Sequence, residues 1–158
     1  MGTRSRIGLQ TGNGAVYSIY CHWDGYPSHN GQILMDHYAT EERVRALMDL
    51  GNLSVLDARL EPDPGHEHSV DGQRQRGVCL AYGRDRGETE QEAAVDDTQA
   101  DFFKRCTEGW EEWAYLFIPE SGQWIVSQVG GGCGPFLGRP NVPPGWALLY
   151  DVLQGEEA

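Results

Sequence analysis

The chain lacks any apolar run approaching the roughly 18 residues that a membrane-spanning helix requires. Its four cysteines, Cys21, Cys79, Cys106 and Cys133, are widely scattered with no C-x-x-C pair. That spacing argues against a structural zinc site or a dithiol redox motif, and reduced, partly buried thiols are expected. Positive charge is scarce: 12 Lys and Arg stand against 24 Asp and Glu, a formal net charge of −12. A surface of that sign repels phosphate backbones and anionic membranes, which argues against direct nucleic-acid or membrane binding. Phosphate-binding grammar is absent too. The run Gly130-Gly131-Gly132-Cys133-Gly134 is followed by Pro135-Phe136-Leu137, not by the Lys and Ser/Thr of a P-loop, and reads as a flexible loop. The first residues are polar, without the apolar stretch of a secretory signal, so a cytoplasmic location is expected.

What is present suits one domain spanning 1–158, with 21 glycines and 8 prolines marking many turns. Arg6 to Gln10 and Ala15 to Cys21 read as strands joined by Thr11-Gly12-Asn13-Gly14, and the second is apolar on both faces, as a central strand is. Trp23-Asp24-Gly25-Tyr26-Pro27 ends it in a turn, where Asp24 is expected to bond turn backbone and Trp23 and Tyr26 to pack over the hairpin. Ser28 is placed to cap a helix over His29 to Tyr38. Thr40 caps a second, with Val44, Leu47 and Met48 as its buried stripe and Gly51 at its C′ position.

A polar loop follows at about 61–75, then a short strand over Gly77 to Tyr82 and a charged turn, Gly83-Arg84-Asp85-Arg86-Gly87. The segment about 85–112 carries most of the acidic excess and reads as a solvated, mobile surface, with Phe102-Phe103 anchoring a short helix through Cys106. Trp113 to Pro119 and Gln123 to Val129 form a second hairpin, apolar on both faces, and Trp146 to Leu153 a terminal helix. The fold expected is α+β: one antiparallel sheet built from the N- and C-terminal hairpins, with two short helices on one face.

No catalytic constellation is visible, and no cofactor or metal is expected; His66-Glu67-His68 is explained as well by a polar loop as by a metal site. Two candidate surfaces remain. One is acidic: Asp85, Glu88, Glu90, Glu92, Asp96, Asp97, Asp101, Glu108, Glu111 and Glu112 would meet the basic groove of a partner in place of nucleic acid. The other is a small-ligand pocket, nucleotide-like in its demands, with Trp23, Asp24 and Tyr26 as an aromatic wall and Arg84 and Arg86 as cationic anchors.

Thr3-Arg4-Ser5-Arg6-Ile7, the Asn-Gly turn and Tyr20-Cys21-His22-Trp23-Asp24-Gly25-Tyr26-Pro27 resemble a group of small phage and prophage proteins of unassigned activity. The likeness continues at Leu50 to Ser54 and at Ala81 to Glu88. The resemblance implies a phage accessory protein acting in the infected bacterial host. The expected role is inhibition of a host defence or nucleic-acid-handling complex, in the manner of anti-CRISPR and other anti-defence proteins.

Overall fold

The structure is a computed structural model and describes residues 2–69, 72–129 and 145–157. Both hairpins form. Strands β1 (Ser5–Gln10) and β2 (Val16–Cys21) pair antiparallel, closed by Thr11 N–H donating to Ala15 O at 2.8 Å and by Gly14 at φ 87°. Strands β6 (Trp113–Ile118) and β7 (Gln123–Gln128) pair antiparallel from Trp113↔Gln128 to Ile118↔Gln123.

The expected antiparallel sheet is corrected to a larger, mixed one. Three further short strands precede β6, namely β3 (Leu53–Val55), β4 (Leu80–Ala81) and β5 (Ala94–Asp96), and β8 (Ala147–Leu148) follows β7. The order is β4-β3-β2-β1-β6-β7-β8, with β5 on the free end of β2. The hairpins join through a parallel pairing of β1 with β6, and β2 also meets β3 in parallel. Parallel neighbours need a long connection, and the chain between β1 and β6 supplies one. β6 is apolar on both faces and β1 on the face of Ile7 and Leu9, so the centre of the sheet is where they bury most surface.

Period-two alternation divides the core. Ile7, Leu9, Ile19, Tyr115, Phe117, Trp124 and Val126 lie in one cluster with helices α1 (Gln32–His37), α2 (Glu41–Leu50) and, last in the chain, α5 (Leu149–Glu157). Val16, Ala114, Leu116, Ile118 and Ile125 lie in the other, with α4 (Gln99–Glu108) and Trp146. Helices therefore cover both faces, not one, and among the described residues five are present, counting the short α3 (Tyr82–Arg86).

The aromatic run after β2 is a structural knot. Gly25 N–H donates to Thr3 O at 2.7 Å and Gly25 O accepts from Tyr115 Oη at 2.6 Å. A Cβ on Gly25 would stand 2.7 Å from Thr3 O and 2.8 Å from Ser5 Cβ, so only glycine fits. Ser28 does not cap the first helix. The chain instead makes a π-helical turn over Pro27–Gly31 from an N-cap at Tyr26, and α1 begins at Gln32. Asn30 explains this: fully buried, it donates from Nδ2 to Ser5 Oγ at 3.3 Å and Trp23 O at 3.4 Å, drawing the turn onto the sheet. Asp24, at φ 55°, accepts from Asn30 N–H through its backbone oxygen, not its carboxylate, which takes the Tyr26 hydroxyl at 3.4 Å.

Helix α2 is as expected: Thr40 Oγ1 accepts from Arg43 N–H, Val44, Leu47 and Met48 are buried, and Gly51 has φ 82°. The strand expected over Gly77 to Tyr82 shrinks to Leu80–Ala81 because Tyr82 opens α3, so the charged turn is a helix. The acidic segment is ordered in part into β5 and α4. Thr98 Oγ1 caps α4 by accepting from Asp101 N–H at 3.1 Å, and Phe102 and Cys106 are its buried stripe. The terminal helix starts at Leu149, after β8. The expected loop at Gly130–Gly134, with Cys133, lies outside the described residues.

Candidate functional site

On the α4 side of the sheet the apolar cluster lies mainly on β6 and β7 with Val16 of β2, while Arg6 of β1 and Ser18 of β2 bring polar side chains to that face. Arg6, the one charged residue of β1, donates from Nε to Glu111 Oε1 at 3.2 Å and from Nη1 to Ser18 Oγ at 3.1 Å. Both ends are shielded, the side chains being 12% exposed for Arg6 and 3% for Glu111. Glu111 is delivered by the end of α4: Gly109 terminates the helix, Trp110 takes φ 63°, and Glu111 N–H returns to Cys106 O at 3.2 Å. Glu111 Oε2 is buried and has no hydrogen-bond donor among the described residues.

The opposite wall comes from β5. Asp96 accepts two bonds from Arg105, at 2.9 and 3.0 Å, tying α4 to the sheet edge, and this raises the Arg105 guanidinium above its ordinary value. Between the walls lies a cleft of about 590 Å³, whose exposed rim is Asp97, Asp101, Lys104 and Glu108. Lys104 leans toward Glu108 at 3.9 Å, while the carboxylates of Asp97 and Asp101 meet no cation among the described residues. Trp110, next to this wall in the chain, is 75% exposed. A second groove, about 520 Å³, lies on the other side of β5 between Leu9, Tyr17, Met48 and Val95.

The expected acidic surface is thus split. Asp97, Asp101 and Glu108 share the cleft rim, and Asp96 and Glu111 are its inner walls, consumed in ion pairs instead of facing outward. Asp85 is also turned inward, its side chain 4% exposed, accepting from Ala81 N–H and from Arg84. Glu88 and Glu90 follow α3, Glu88 facing Arg86 at 3.6 Å; Glu92 lines the second groove, and Glu112 accepts from Arg4 N–H at 3.2 Å.

The ligand-pocket residues are engaged differently from expectation. Trp23 and Tyr26, 41% and 38% exposed, stand at the end of β2, Trp23 edge-on to His22 at 4.8 Å, and Asp24 raises the Tyr26 phenol pKa. Arg84 is spent internally: it donates to both Asp85 oxygens, to Cys79 O at 2.8 Å and to Leu60 O. His68 is likewise structural. Its Nε2 bonds Cys79 O at 2.8 Å and its Nδ1 accepts from Gln75 N–H at 3.0 Å. Burial pushes the Cys21 and Cys106 thiols up to about 12, far from nucleophilic range at neutral pH.

Sequence reasoning passes over Arg6, Ser18, Arg105, Gly109 and Trp110. The available signal is Arg6 and Ser18, polar residues on one face of strands whose other face carries Ile7, Leu9, Ile19 and Cys21.

The architecture is a mixed sheet layered by helices, carrying a charge-lined cleft at one edge. Comparison of the chain with protein-family models, with curated proteins and with solved structures found no match in any of the three.

Proposed function

We propose that the protein binds a partner through the α4 edge and that the partner's surface is basic. The observation that carries this is the juxtaposition in the chain of an acidic cleft rim, Asp97, Asp101 and Glu108, with a tryptophan left 75% exposed in a left-handed backbone. Tryptophan is enriched in binding hot spots, and a side chain left this exposed gains little from packing in the folded chain. A net charge of −12 speeds encounter with a basic groove. Together with the resemblance to phage proteins, the reading is an accessory protein that occupies the groove of a host defence or nucleic-acid-handling complex and keeps nucleic acid out.

The test is affinity capture from lysate of a phage-susceptible bacterium, with wild type beside an Asp97→Lys, Asp101→Lys, Glu108→Lys triple variant. Wild type is expected to retain a stoichiometric nucleic-acid-handling complex, released as salt approaches about 1 M, where screening reaches about 3 Å. The triple variant is expected to retain none. Equal retention by both proteins would reject the acidic face as the binding surface.

A further inference from the structure

Resting on that reading, we propose that the cleft between β5 and the end of α4 takes a guanidinium group, an arginine side chain of the basic partner. The charges lining the cleft do not cancel evenly. Arg6 is spent on Glu111 and Ser18, Arg105 on Asp96, and Lys104 leans toward Glu108, which leaves Asp97 and Asp101 without cations among the described residues.

An acidic rim alone would be a solvated surface. Glu111 makes this one a built site. Its side chain is 3% exposed, Arg6 fixes one carboxylate oxygen, and the other, Oε2, has no donor among the described residues. A buried carboxylate oxygen calls for an N–H or O–H donor. Oε2 packs against Gly109, which also lines the cleft: a Cβ there would collide with it, so a glycine is required for the carboxylate to hold this position.

The acceptors choose between the two basic side chains. Glu111 lies in the wall and Asp97 and Asp101 on the rim, so a group with several donors in a planar fork can serve separated acceptors at once. Guanidinium is such a group, and it is more weakly hydrated than ammonium, which favours its approach to the shielded Glu111 wall. Lysine's compact, strongly hydrated charge satisfies the rim without reaching the wall.

The experiment is calorimetric titration of the full chain with a hexa-arginine and a hexa-lysine peptide, beside Glu111→Gln and an Asp97→Asn, Asp101→Asn double variant. Wild type is expected to bind hexa-arginine at least tenfold more tightly than hexa-lysine, with Glu111→Gln abolishing that preference. The double variant, whose altered side chains bond no other described residue, is expected to lose affinity for hexa-arginine by tenfold or more, and it decides the matter if Glu111→Gln does not fold. Equal affinity for the two peptides, or an arginine preference that survives both variants, overturns the guanidinium site. If that happens while lysate capture still depends on the acidic rim, the binding face stands and only its selectivity for arginine falls. If capture fails as well, both readings fall.

Discussion

Two arginine–carboxylate pairs are turned inward in this protein, and they differ in what is left over. Arg84 and Asp85 form a closed set. Both Asp85 oxygens accept, from Arg84 Nε at 2.9 Å, from Arg84 Nη2 at 3.0 Å and from Ala81 N–H at 2.8 Å, and the arginine's other donors go to Leu60 O and Cys79 O. Arg6 and Glu111 form an open set, in which one carboxylate oxygen is bonded and the other meets no donor among the described residues. Each is an arginine on a carboxylate, aspartate in the first and glutamate in the second. The first pair holds α3 and the polar loop in place, and the second has binding capacity to spare. Residual hydrogen-bonding capacity, not charge or burial, separates a structural pair from a site.

Amide substitution breaks this comparison most sharply. In Asp85→Asn the new NH₂ must face either Arg84 Nε or Ala81 N–H, donor against donor, and the stability loss expected is about 3 kcal/mol. In Glu111→Gln the amide nitrogen can take the position of the unbonded Oε2, leaving oxygen on Arg6, and the loss expected is about 1 kcal/mol. Urea denaturation of both variants measures the difference. Equal losses would mean that Glu111 Oε2 is as fully engaged as the Asp85 oxygens.

The two hairpins are legible in the sequence because each strand carries its own alternation and turn residues. Local pattern also yields α2, with its threonine cap, stripe and terminal glycine. The parallel joining of β1 to β6 is not legible, since register between strands far apart in the chain is set by global burial. Ser28 misleads because a capping preference is weaker than the buried Asn30 contacts that place the turn. The acidic residues of the site are legible as charge, but direction is not. Nothing in the linear order says that Asp96 and Glu111 point inward at Arg105 and Arg6 while Asp97 and Asp101 point out. Only Arg6, the one charged residue of β1, marks the place from which the cleft is built.

Buried thiols near the two pairs sharpen the comparison by a second route. Cys106 is pushed up to about 12 by burial first and by Glu111 next, with Arg6 opposing; Cys79 is raised by burial, tempered by hydrogen bonds and by Arg84. Because the folded pKa lies above the unfolded value of 9.0, the folded chain keeps a proton that the unfolded chain loses. Stability is therefore whole below pH 9 and falls as pH rises toward about 12, by up to about 1.4 kcal/mol per pH unit for each such thiol. Urea midpoints across this range measure the slope. Cys106→Ala should flatten it, and Glu111→Gln should flatten it in part by removing a charge that raises the thiol. A slope untouched by Cys106→Ala would mean that this thiol already ionises in the folded state.

The smallest effect on stability falls on the residue that aims the open pair. Trp110 holds φ 63° immediately before Glu111, and its side chain, 75% exposed, gains little from packing. Asparagine tolerates that backbone far better, so Trp110→Asn is expected to raise stability by up to about 1 kcal/mol while leaving Glu111 on Arg6. The same change removes the proposed anchor and should weaken partner capture by roughly 30-fold, the 2 kcal/mol typical of a hot-spot tryptophan. Opposite signs in the two measurements are the signature of a residue kept for binding at the expense of folding. A loss of stability beyond 1 kcal/mol would instead give Trp110 a structural role, and the open pair would lose the anchor argued to stand beside it.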